Sequence, residues 1–235
     1  MEGFGNTTTA RGELSTAVTD VKLLDAMGEI YGDRVWPFYL GTLCPRPLFL
    51  AVVRINHLRR TASANPAATA DAMDILADIN SFDPENWAVG RGTQETKPHW
   101  AMLAGIYQSA VAVYCVRSLE SVGVLAATTT TTNTTPPEVT ALDASHYQRL
   151  LRLLRRAYEF PHFRHCAMWP LVVAGVRAVA GSPADRRFVE DKLVECSRAA
   201  GSALPLQAKE MLRRYWDSGK TGWDDCFDRS YVFCV

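Results

Sequence analysis

The residues that could do chemistry are most concentrated near the end of the chain, where Asp224, Asp225 and Asp228 form a DDxxD string. Clustered carboxylates can hold Mg2+ that bridges to phosphate oxygens, so the string raises a magnesium-dependent diphosphate enzyme as one reading. Only seven residues follow Asp228, and no second Asp-Asp or Asn-Asp pair stands upstream. A second metal-binding helix has no place to come from, and turn and capping carboxylates explain the string more simply.

Other combinations are less complete. His162, His165 and Cys166 bring imidazole and thiol together, as zinc prefers, but no second pair with chelating spacing exists. Ser218-Gly219-Lys220-Thr221 ends like a phosphate-binding loop, yet Arg214 stands where its first glycine is needed. Gly90-Arg91-Gly92 lacks a third glycine, and no Gly-x-Ser-x-Gly elbow is present. The sequence therefore offers no catalytic set, no cofactor site and no metal site. Two weaker patterns remain as ligand or partner candidates. Trp100, Tyr107 and Tyr114 repeat every seven residues on one helix face and, with Trp169, could line a small-molecule pocket. Arg149, Arg152 and Arg156 form an i, i+3, i+7 stripe that could meet phosphate or an acidic partner. Each has a structural alternative, an aromatic core and a solvated helix face respectively.

The elements that position these residues are helical. Apolar positions recur at three and four residues from Pro98 to Leu125, nearly all round, which predicts a central helix. Asp143 is a candidate N-cap for an amphipathic helix carrying the arginine stripe, and Ser182-Pro183-Ala184-Asp185 opens another that Gly201 can close. Pro205 starts a further helix that ends at Gly219, and periodic segments at about 13–30, 46–60, 66–80 and 168–180 supply the rest. Residues 1–12 read as a flexible tail, and 127–140, rich in Thr with a Pro-Pro pair, read as a mobile loop. The fold class is all-α: residues 13–235 form one domain of roughly eight helices, packed as an antiparallel bundle or wound helical array.

Composition bounds the function. The chain has 235 residues, 48% of them apolar, and 25 basic residues balance 25 acidic ones. Non-specific nucleic-acid binding through a basic coat is excluded. The six cysteines lie at least eight residues apart, which gives no Cys-x-x-Cys chelate and suits reduced intracellular thiols. No apolar stretch is expected to reach the roughly 18 residues of a membrane span, and no secretory leader is readable, so the Asn-x-Thr triplets at Asn6 and Asn133 are not expected to be glycosylated.

Several blocks, in order, carry a resemblance. They are CPRPLFLAVVRINHLR (44–59), ILADINSFDPENW (75–87), Trp100 with IYQSAVAVYC (106–115), MWPLVVAG (168–175), DRRF (185–188), 201–216 and GWDDCFDRSYVF (222–233). Together they resemble the fungal-specific transcription factor domain, the regulatory region of fungal binuclear zinc-cluster transcription factors. The resemblance implies an all-helical, non-enzymatic domain in the nucleus that tunes a DNA-reading module through other regulators, self-association or a small effector. It also gives the DDxxD string an ordinary place. The zinc cluster itself needs six cysteines with two Cys-x2-Cys pairs, which are absent from this chain. Zinc is expected only with a separate N-terminal cluster, and direct DNA binding is not expected of this chain. A terpene-type diphosphate enzyme and a helical small-molecule binder or scaffold are the alternatives.

Overall fold

Proline and its neighbours set most helix starts. A computed structural model describes residues 43–125, 137–164, 166–229 and 231. The tail expected at 1–12, the helix expected at 13–30 and the candidate ligand His165 lie outside the described residues. Eight α-helices and no strands occur among the described residues. Helix α1 (Arg46–Thr61) follows Pro45 and buries Leu48, Phe49, Val52, Val53 and Ile55. After a short 310 turn, α2 (Ala68–Ser81) buries Ala72, Ile75, Leu76 and Ile79. The single-turn α3 (Pro84–Trp87) was not foreseen from periodicity. Its capping is local, because the Asp83 carboxylate accepts from the backbone N–H groups of Glu85 and Asn86.

Helix α4 (Lys97–Ser121) is 25 residues long, about 37 Å at 1.5 Å per residue. It packs against α1, α2, α3 and α6, and most extensively against α5 (Pro137–Ala157). An apolar face all round follows from that central position. By length and hydropathy α4 could also cross a membrane, which corrects the expectation that no stretch of the chain is long and apolar enough. Yet 89% of its most apolar window is buried inside the fold, the setting of a core helix.

Helix α5 corrects two expectations. Residues 137–140 belong to its first turn, so the loop read at 127–140 ends earlier, and 126–136 lie outside the described residues. Pro137 fits the first helical position, where no N–H is needed, and Glu138 lies near the positive end of the dipole. Asp143 is therefore no N-cap: it faces inward, and its Oδ2 accepts from Arg177 Nε at 2.6 Å.

Helix α6 (Met168–Arg177) is buried along its length and carries α7 (Pro183–Ala200) and α8 (Leu204–Asp217) on its far side. The capping box between Ser182 and Asp185 opens α7, and Gly201, at φ +60°, closes it. Close approach of α8 to α6 depends on Gly175, where a Cβ would lie 2.4 Å from Leu212 Cδ1. The chain then returns to α1 and α4 through a 310 turn, Asp224–Cys226.

Candidate functional site

That last turn opens the DDxxD string, whose carboxylates are already occupied. Asp224 Oδ1 accepts from the guanidinium of Arg59, a fully buried side chain on α1. Asp225 is paired with Lys220 at 3.3 Å and accepts from the backbone N–H of Gly222. Asp228 is paired with Arg214 at 3.4 Å and accepts from the Tyr231 hydroxyl at 2.6 Å, whose hydrogen bond holds its carboxyl below the usual range. Each acid thus answers a different cation from a different element. Neighbouring Trp223 is buried, its ring 4.9 Å from Tyr114. The string anchors the end of the chain to the core, and a diphosphate-binding metal centre is not favoured.

The anchor is a buried polar network. Arg59 donates to Tyr114 Oη at 2.9 Å as well as to Asp224, and Tyr114 Oη donates to Asn56 Oδ1 at 2.5 Å. Helices α1 and α4 and the final turn are joined through it. Burial of Tyr114 pushes its hydroxyl pKa up, so the neutral phenol persists and can both donate and accept.

Of the four aromatic candidates, three belong to the core. Tyr107 stacks on Trp169 with ring centres 6.3 Å apart and planes 9° from parallel. Trp169 meets Tyr114 edge-on at 6.1 Å. All three are buried, and contacts of this kind add about 0.5–1.5 kcal/mol each beyond area burial. These three take the core alternative that the sequence also allowed, and Trp100 borders a cleft. Trp100 is half-buried and lines this apolar cleft of about 270 Å3 with His99, Leu103, His162, Phe163 and Cys166.

The arginine stripe divides as well. Arg149 is half-buried, and one terminal nitrogen donates to Gln108 Oε1 at 2.6 Å. Burial and then the like charge of Arg152 lower its pKa. Arg152 and Arg156 are exposed. Arg149 and Arg156 line a second cleft of about 370 Å3 together with His99, Met102, Leu153 and Phe160.

His99, the residue common to both clefts, was missed in the sequence, as were Phe160 and Phe163. The His99 ring lies 4.7 Å from Phe160, 4.9 Å from His162 and 5.8 Å from Phe163. A dense aromatic turn, Phe160-Pro161-His162-Phe163, was the available signal. Helical periodicity could not use it, because the turn lies between helices.

Metal and phosphate motifs find ordinary places. Cys166 Sγ donates to the carbonyl of His162, and burial pushes the Cys166 thiol up to about 11, which disfavours the thiolate that zinc needs. No three metal-ligating side chains converge among the described residues. The five described cysteines lie in separate parts of the fold. Ser218-Gly219 ends α8, with Gly219 at φ +72°. Gly90 and Gly92 turn the chain between α3 and α4, and Arg91 lies over the Trp87 ring, 4.0 Å from its centre.

The family model of the fungal specific transcription factor domain matches residues 21–234. The phomenoic acid biosynthesis cluster-specific transcriptional regulator of Leptosphaeria maculans is 35% identical over 230 residues. That alignment covers 94% of this chain and 41% of the relative, so the chain spans about two fifths of the relative's length. No solved structure matches. On the strength of a match over nearly its whole length, the chain belongs to the fungal-specific transcription factor domain family.

Proposed function

We propose that this chain is a non-enzymatic regulatory domain of a transcription factor, working in the nucleus through other regulators or self-association and answering to a small effector. The observation that carries the reading is the family match over residues 21–234. The name of the Leptosphaeria relative, a cluster-specific transcriptional regulator, extends the reading to control of a biosynthetic gene cluster. The pairing of each acid in the DDxxD string with its own cation supports a structural role for the residues most suggestive of catalysis. Regulation requires that a partner or ligand bind two arrangements of the helices unequally, and coupling of about 1–3 kcal/mol suffices.

Deletion of the coding region followed by transcript profiling under varied nutrients tests this reading, with a fluorescent fusion to locate the protein. Altered transcripts of a gene cluster and a nuclear signal are the expected result. Unchanged transcripts in every condition, with the fusion outside the nucleus, would overturn it.

A further inference from the structure

Seven arginines of the described chain each form an ion pair with a carboxylate. Arg149 has no ion pair among the described residues. Its hydrogen-bond partner is the neutral amide of Gln108, and that amide is itself fixed, because Nε2 donates to the carbonyls of Ile79 and Phe82 at 2.8 Å each. The guanidinium is therefore half-buried and held in one place by a neutral partner, with Arg152 one turn away. Gly105 makes room for it on α4: a Cβ there would lie 3.4 Å from the nearest Arg149 terminal nitrogen and 3.2 Å from Leu153 Cδ1. Directly beside it opens the cleft of about 370 Å3, lined by apolar Met102, Leu153 and Phe160 and by Arg149, Arg156 and Glu85.

We infer that this cleft binds a small organic acid, with its carboxylate taken by Arg149 in the field of Arg156 and its apolar body against Met102, Leu153 and Phe160. A planar guanidinium recognises a carboxylate through two parallel N–H bonds, and the half-burial of Arg149 strengthens the attraction. Met102, Leu153 and Phe160 offer contacts to an apolar body that a bare inorganic anion lacks, and the volume lies within the range of small-molecule pockets. Arg149 and Arg156 are two helical turns apart, roughly 10 Å along the axis, so the second guanidinium acts mainly through its field. Glu85 opposes the same anion. Because the cleft borders α3, α4 and α5, occupancy there favours one packing of these helices over another. The assignment deepens the regulatory reading: it supplies the chemical class of the effector.

Isothermal titration of the full chain with octanoate, octanamide and inorganic phosphate tests it. Octanoate is expected to bind at least tenfold more tightly than octanamide, and phosphate not measurably. Arg149→Gln weakens octanoate at least tenfold and Arg156→Gln about twofold, both leaving octanamide unchanged, and Glu85→Gln tightens octanoate about twofold. Arg149 also supports Gln108, so Arg156→Gln and Glu85→Gln, both at exposed positions, keep the test valid if Arg149→Gln misfolds. Equal binding of octanoate and octanamide, measurable phosphate binding, or indifference to Arg156→Gln and Glu85→Gln overturns the site. The regulatory reading fails separately: octanoate binding with unchanged transcripts on deletion removes the regulation and leaves the site.

Discussion

Replacing Asp224 with Asn tests the claim that the acidic string is an anchor. Arg59 has no solvent-exposed side-chain surface, whereas the Asp224 side chain is 23% exposed. Removing one partner of a buried ion pair leaves a buried charge uncompensated, at a cost of about 3–5 kcal/mol. Water reaching the exposed side of Asp224, and the bond from Arg59 to Tyr114 that survives, place Asp224→Asn at the low end, about 3 kcal/mol. For a chain of this size a loss of that order lowers Tm by about 6–12 °C. Urea titration followed by circular dichroism measures the first quantity and differential scanning calorimetry the second. A carboxylate cluster kept for binding metal behaves oppositely, because neutralising one of several repelling acids stabilises the apoprotein. Asp224→Asn within about 1 kcal/mol of the parent, or more stable than it, would refute the anchoring argument. The paired replacement Arg59→Met with Asp224→Leu removes both charges and should recover most of the loss.

The remaining predictions concern packing and protonation. His146 is buried beside Asn80 Oδ1 at 2.7 Å, and its Nδ1 has no hydrogen-bond partner among the described residues. Burial, and then the charge of Arg149, lower its pKa to about 4, against about 6.5 for an unfolded histidine. Between these values the unfolded chain holds the extra proton, so stability falls as pH drops from 6.5 towards 4, by on the order of 3 kcal/mol, and levels off below. In His146→Gln, urea midpoints taken across that window should lose most of this slope. Gly175→Ala would press Leu212 and Val189 and should cost about 1–3 kcal/mol in urea unfolding; a neutral result would mean that α6 and α8 separate freely. Gln108→Leu leaves the carbonyls of Ile79 and Phe82 without their donor and should cost about 2–3 kcal/mol, visible as a lowered Tm.

Much of the fold was legible because helix boundaries are local. Ser182, Pro183 and Gly201 mark α7 by their own backbone preferences, and α4 announced its central position by being apolar all round. The start of α5 was misplaced because Asp143 has the chemistry of a cap and is used instead to pair with Arg177 from another helix. A residue type states what a side chain can do, and its partner decides what it does.

The candidate sites show the same division. Sequence alone determined the helical class, the candidate arginines and the family, since each is carried by order and spacing along the chain. Only the tertiary structure decided that Tyr107, Tyr114 and Trp169 fill the core, that Arg59 neutralises Asp224 across 165 positions, and that Arg149 meets an amide rather than an acid. The physical reason is that charge pairing and desolvation depend on distance in space and on how much water has been excluded, and neither quantity is written in the local sequence.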